Sequence, residues 1–412
     1  MKTKTVNLWW GPPANFNERK HERKISWLEL FYDLVYVAAI GQLTHHLAEE
    51  PTWAAAAFVF LLFSLIFWSW VNGSQYFDLH GNDSIRTRVF TFIQVIAAAS
   101  VAITLGGVFE GHQQEFVAAF SIVQIFITYL WWSVGLYDPS HRVLNKFYTF
   151  NYLLGFGLLV ISFFTSFKVA ILLWILVLIL DLTPALTGAR TIVSVLKKRG
   201  QVFTASAALV ERFGLFTIIV LAESILGTVT AIAEHHQKSP LVWAGFALAI
   251  FIAFLLWSIY FDMTSEQETK KGYAYMQWLI FLHFPLLASL NLVGACTKSL
   301  LFKMQSANPL TTYWMYCISL AIILWMIIGI ARIMQEEEED RAYIRPVSRL
   351  LWAASFVILL IPLLGEFLNT LIFLSLIAAV LMVPVFVGIK SWVNYKFFAT
   401  NKSAMPSAPH IN

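Results

Sequence analysis

Charge is scarce in this chain. Of its 412 residues 13% are Asp, Glu, Lys or Arg, against roughly a quarter in a soluble domain. The hydrophobic share is 58% and the mean hydropathy is +0.69. That is more apolar surface than a water-facing fold can bury, so a soluble enzyme or binding module is excluded. Cysteine is nearly absent: Cys296 and Cys317 lie in or beside apolar runs, a structural disulfide is not expected, and the pair says little about compartment. No Walker loop, dinucleotide fingerprint or nucleophile elbow occurs in a usable context. An ATP-driven pump is therefore not expected, nor an enzyme, nor a cofactor. The net charge of +4 is spread over separate short loops, which points to topology and away from a nucleic-acid partner. A cleavable signal pattern is missing too. The first 24 residues are polar, with Lys2, Lys4, Arg19, Lys20, Arg23 and Lys24, and the apolar run after them is too long for a signal core, so the first helix is expected to be retained.

Long apolar runs are what the chain has in abundance. Segments of about 20 residues bounded by polar turns read as transmembrane helices. Twelve are predicted, at 27–47, 53–75, 85–106, 114–135, 147–166, 168–189, 206–232, 240–260, 272–294, 309–332, 346–365 and 367–391. The fifth and sixth, and the eleventh and twelfth, are separated by very short turns, so each pair can also be drawn as one broken element. An even count puts both termini on one side. That side carries all of the 28 Lys and Arg except Lys168, Lys238, Lys298 and Lys303, and the positive-inside rule makes it cytoplasmic. Sixteen tryptophans fit interface belts and lipid-facing packing. The acidic run Glu336 to Asp340 reads as a solvated cytoplasmic loop.

The two halves echo each other. Glu29-x-Phe31 opens the first span and Glu211-x-Phe213 the seventh. Trp68-Ser69 followed by Tyr76-Phe77-Asp78 is matched by Trp257-Ser258-Ile-Tyr260-Phe261-Asp262. Pro184 and Pro384 stand late in spans six and twelve. The expected fold is an all-α polytopic membrane protein of about twelve transmembrane helices in two parallel six-helix repeats. Its parts are a cytoplasmic lead (1–24), a first repeat (25–190), a basic linker (191–205), a second repeat (206–395) and a cytoplasmic tail (396–412).

Carboxylates inside such segments are the candidate functional residues, because a charge at mid-bilayer costs on the order of 3 kcal/mol on insertion scales. Glu29 and Asp33 are four apart and share one helix face. Glu211 and Arg212 lie at a similar depth in span seven. If spans one and seven face each other, three carboxylates meet one guanidinium, and a proton or a cation must make up the balance. That suits a proton- or cation-coupled carrier; a structural ion-pair cluster holding the halves together is the competing reading. Glu223, flanked by Ala222 and Ser224 and followed by Gly227, suggests a polar cavity at close helix contact. His283 precedes Pro285, which frees a backbone carbonyl one turn back. It is either a relay group or a satisfied core histidine. Asp181 precedes Pro184 and is expected to pair with Arg190. His45, His46, Glu49 and Glu50, and Glu234, His235 and His236, mark the opposite side. His45 is the likelier contributor because it lies further inside its span, and solvated helix ends are expected in preference to a metal site.

The motif Ser26-Trp27-Leu-Glu29-Leu-Phe31-Tyr-Asp33-Leu-Val35 resembles the opening of the low temperature requirement A family of bacterial membrane proteins. Further support comes from Glu211-Arg212-Phe213-Gly214-Leu215-Phe216, Ile219 to Ser224, Trp257 to Asp262 and His283-Phe-Pro285. Ala222 departs from the glycine the family pattern leads one to expect. The resemblance implies a multi-pass protein of the bacterial cytoplasmic membrane and names no chemistry. Phe31-Tyr-Asp33 is also similar to the Phe-Ser-Asp of a potassium channel family with duplicated six-helix units. Leu215 stands at the matching place in the second half, where that family has an aspartate. Together these readings predict a secondary transporter, with a passive cation channel and a structural or sensory protein as alternatives. Its expected partners are the bilayer and a small solute or cation, and a homo-oligomer is compatible with the sequence.

Overall fold

The computed structural model describes residues 11–14, 25–82, 84–137, 142–187, 193–194, 204–234, 239–264, 268–304, 309–335 and 338–403. Its described residues form twelve α-helices and no strand: α1 Trp27–Glu49, α2 Trp53–His80, α3 Ile85–Phe109, α4 Gln114–Tyr137, α5 Arg142–Phe163, α6 Phe167–Thr187, α7 Ala207–Ala233, α8 Pro240–Thr264, α9 Tyr273–Phe302, α10 Leu310–Ile333, α11 Glu338–Leu360 and α12 Thr370–Ser403. Both ambiguous pairs resolve into separate helices: α5 and α6 are divided by a short turn, and α11 and α12 by a 3-10 turn, Ile361–Phe367, in which Gly365 takes a positive φ. Eleven of the twelve are long and apolar enough to span a bilayer. The exception is α1, and the physical reason is that Glu29 and Asp33 lie in it.

Local chemistry starts the helices where the sequence allows. Ser26, Thr52, Ser84 and Ser206 each cap a helix by accepting the N–H three residues on, at 3.2–3.4 Å for the first three and 3.0 Å for Ser206. Ser26 and Glu29 complete a reciprocal capping box, with Glu29 Oε1 reaching back to the Ser26 N–H at 3.3 Å. The S-x-Y-F-D stretch of α2 fixes the entry to α7, because Asp78 accepts from the hydroxyl of Ser206. Residues 11–14 lie against the α2–α3 turn: Ala14 N donates to His80 O at 3.0 Å, and Asn82 Nδ2 to Pro12 O at 2.6 Å.

Within each half the same neighbours pack. In the first, α1 packs on α2 and α3, α3 on α4, α4 on α5, α5 on α6, and α2 on α4 and α6. In the second, the same pairs recur among α7 to α12. Between the halves the packing is one-sided. Helices α7 and α9 both pack on α1 and α2, while α3 and α8 stay out of the main contact. The middle of the molecule is therefore α1, α2, α7 and α9.

Three expectations are corrected. Helix α9 continues to Phe302 rather than ending at 294, which puts Lys298 inside a helix. Helix α11 begins at Glu338, so the acidic run leads into a helix. Trp70 and Trp174 are fully buried and belong neither to a belt nor to the lipid face.

Candidate functional site

At one end of the α1–α7 interface an ion triad is sealed from solvent. Asp33 is 0% exposed, Arg212 1% and Glu29 3%. Arg212 Nε donates to both oxygens of Asp33 at 3.0 Å, and Nη2 donates to Oδ1 at 2.7 Å. Nη1 reaches Glu29 Oε2 at 3.4 Å. The indole N–H of Trp70, from α2, donates to Asp33 Oδ1 at 2.6 Å. The guanidinium carbon lies 5.4 Å from the Tyr32 ring, 5.9 Å from Trp70 and 5.7 Å from Phe77, inside an aromatic cage. Phe216 stacks on Trp70 at 4.0 Å and Phe213 meets it edge-on at 5.2 Å. Glu211 does not join: it is exposed, because neighbours on a helix point about 100° apart and Arg212 takes the inward direction. The triad holds two carboxylates and one guanidinium, so its formal sum with every group ionised is −1.

Along α1 the polar face continues. Tyr36 OH accepts from Ser69 Oγ at 3.3 Å. One turn further, Gly41 leaves room for Glu223 of α7: a β-carbon at Gly41 would lie 2.5 Å from Glu223 Oε1. Glu223 is half-buried. Beside it, Asn291 of α9 donates to Ile40 O at 3.1 Å and to Thr44 Oγ1, while its Oδ1 is buried with no hydrogen-bond partner. Lys298 of α9 is buried and lies near enough to Glu223 to act on it electrostatically. Its stem crosses Gly227, and its ammonium donates to His45 Nδ1. An ammonium can only donate, so the neutral His45 ring carries its proton on Nε2, which faces Glu49 Oε1 at 3.6 Å. From Glu29 to Glu49 the α1 face rises by about 30 Å, the thickness of the hydrocarbon core.

Small residues set this spacing. A β-carbon at Gly294 would lie 2.5 Å from Ser224 Oγ and 3.3 Å from its Cα, so α7 and α9 meet nearly backbone to backbone. Gly294→Val is expected to destabilise the protein by about 1–3 kcal/mol through overpacking, read as a lower unfolding midpoint in detergent. Gly157, with open space around it, should tolerate alanine in the same assay. Ser224 and Thr228 also border a small recess of about 20 Å³, shared with Leu256, Thr297 and Tyr316.

The remaining candidates lie apart from this line. His283 is fully satisfied: Nδ1–H donates to Leu279 O at 2.7 Å, and Nε2 accepts from Tyr260 OH at 2.9 Å. It touches the triad only through Phe213, 4.6 Å away ring to ring. Asp181 is held by Gln124 of α4, Nε2 to Oδ1 at 2.7 Å; its expected partner Arg190 lies outside the described residues. His235 and His236 lie outside them too, and His46 stacks on Phe109 at 4.4 Å. Trp70, Asn291, Lys298 and Gln124 were not legible as site residues. The one signal for Lys298 was the small-residue pair of Gly227 on α7 and Gly294 one turn before it on α9.

A bundle of twelve helices, eleven of them long and apolar enough to span a bilayer, with buried charge along its middle defines a polytopic helical membrane protein. The sequence pattern of the bacterial low temperature requirement A protein (LtrA) family matches residues 24–387, and the chain belongs to that family. A curated relative, uncharacterized protein RA0937 of Rhizobium meliloti (strain 1021), is 24% identical over 261 residues, a stretch covering 62% of this chain and 62% of the relative. The match thus spans about three fifths of that protein, whose printed name assigns no activity. No solved structure gives a significant match.

Proposed function

We infer that this protein is a proton- or cation-coupled secondary transporter of the bacterial cytoplasmic membrane, with both termini cytoplasmic and its coupling site between α1 and α7. The observation that carries the reading is the polar line on the α1 face. Asp33, Glu29 and Arg212 stand at one end, Glu223 in the middle, and Lys298, His45 and Glu49 at the other. Such a line costs stability wherever it is placed in a membrane, and its members are spread over about 30 Å of α1, the thickness of the hydrocarbon core. Asp33 and Glu29 take the coupling proton or cation. Arg212 balances charge or meets an anionic group of the solute, and Glu223 hands on to Lys298 and His45. The recess beside Ser224 and Thr228 has room for about one water molecule, so a solute path along this line requires helix movement. The recurrence of helix neighbours in the two halves, with the S-x-Y-F-D echo and the matched prolines, supports an origin by duplication into two parallel six-helix repeats.

The complete enclosure of the Asp33–Arg212 pair favours a second reading, in which the triad only docks the halves. Ion flux into proteoliposomes under imposed K⁺, Na⁺ and H⁺ gradients, alone and with candidate solutes, separates the two. A carrier gives solute-dependent flux that Glu223→Gln removes while the unfolding midpoint holds, because half-buried Glu223 is not part of the triad. Flux without solute, altered in selectivity by the same variant, would replace the carrier with a passive channel. No flux under any gradient or solute would leave the docking role.

A further inference from the structure

Besides Glu29, Asp33 and Asp78, a further carboxylate is buried in the first six helices and takes no part in the line described above. Asp181 of α6 is 6% exposed, and among the described residues it has no ion pair. Among the described residues the groups that meet it come from α2, α4 and α5, and none of these is charged. Gln124 of α4 donates one amide hydrogen to Oδ1 at 2.7 Å and spends its other on Tyr152 O at 3.4 Å. Gly155 of α5 leaves the space, since a β-carbon there would lie 3.3 Å from both Asp181 Oδ1 and Gln124 Nε2. Tyr152, the one titratable neighbour, gives its hydroxyl to Asn72 Oδ1 of α2, and Asn72 Nδ2 donates to Trp68 O at 2.8 Å. Trp68 in turn gives its indole N–H to the Asp181 backbone carbonyl at 2.8 Å.

The second half builds the same place from leucine. Pro184 and Pro384 register Asp181 with Leu381. The S-x-Y-F-D stretches at Ser74 and Ser258 register Asn72 with Leu256. The first residues of α4 and α10 register Gln124 with Leu320. All three leucines are buried. Three leucines therefore fill the corresponding core, and the polar set in the first half is not needed to close the fold. Burying it costs free energy that leucine would not.

We propose that the Asp181–Gln124–Asn72–Tyr152 cluster is a proton-binding site confined to the first six helices, in which the Asp181 carboxylate takes up one proton to become the neutral acid and later releases it. A metal ion would need several oxygens aimed at one point, whereas Gln124 turns its N–H toward the carboxylate. The comparison of halves rests on the duplication proposed above; the test does not.

The test is pH-difference infrared spectroscopy of the full-length protein in lipid, following the carbonyl stretch of a protonated carboxylic acid. The wild type is expected to show a band that appears and disappears reversibly with pH. Asp181→Asn should lose it, and Asp33→Asn should keep it. Gln124→Leu removes the one amide donor and should shift the midpoint of the band by about one pH unit, which serves if Asp181→Asn does not fold. A titrating band left undiminished in Asp181→Asn, or a midpoint unmoved by Gln124→Leu, would overturn the proposal. So would an Asp181 band that never titrates. These outcomes do not depend on flux, so a silent proteoliposome assay and a failed proton site remain distinguishable.

Discussion

Arg212→Leu should destabilise the protein by about 3–5 kcal/mol, measured by equilibrium unfolding in mixed micelles. The guanidinium serves Asp33 and Glu29 together, and both carboxylates are sealed. Removing it leaves uncompensated charge in a dry interior, and breaking a buried pair from one side is among the most damaging single changes. Arg212→Lys keeps the charge but loses the planar fork that grips Asp33 through Nε and Nη2, and should fall between wild type and leucine. The triple replacement Arg212→Leu, Asp33→Leu, Glu29→Gln should recover much of the loss, because an apolar core of similar volume is often as stable as a buried ion pair. If Arg212→Leu were nearly neutral, the triad would have to be open to water in solution, contrary to its burial.

The helix count was legible because twenty apolar residues in a row have few other uses. The pairing of α1 with α7 was legible because intramembrane charge is rare enough for Asp33 and Arg212 to need each other. What the sequence hid follows from rotation and neutrality. Glu211 and Arg212 are adjacent, and a pattern of charges says nothing about which of two neighbours turns inward. Lys298 reads as a loop residue until α9 is seen to run to Phe302, because hydropathy fades before a helix ends. Trp70, Gln124, Asn72 and Asn291 raise no alarm in an apolar run: tryptophan is common at interfaces, and uncharged amides depress hydropathy without announcing a partner.

Helix α2 ties Asp33 and Asp181 together. Trp68 and Trp70 are two residues apart and so point to nearly opposite sides of the helix. One indole N–H binds the backbone of Asp181 and the other the carboxylate of Asp33. A rotation of α2 that loosens one contact must disturb the other. Were the proposed protonation of either site to turn α2, the other would feel it through this helix.

Asp33→Asn is the variant that decides what the triad is for. The amide keeps the shape of the side chain and an oxygen for Trp70 or Arg212, and Glu29 remains to pair the guanidinium. Its stability loss should therefore stay near about 1–3 kcal/mol, less than for Arg212→Leu, and the protein should purify as wild type does. Flux separates from stability here. If Asp33 carries the coupling proton or cation, an amide cannot take up the proton and meets a cation without the carboxylate's charge, so coupled uptake should fall toward the level of protein-free vesicles. The binding of solute, read by tryptophan quenching, should persist if Arg212 still meets it. If the triad only docks α1 to α7, uptake should scale with the small loss of folded protein and no further. The double variant Asp33→Asn with Glu29→Gln sharpens the distinction. It leaves Arg212 without a carboxylate, so a docking triad should lose stability well beyond the single variant, whereas a coupling site already silenced by Asp33→Asn has no more flux to lose.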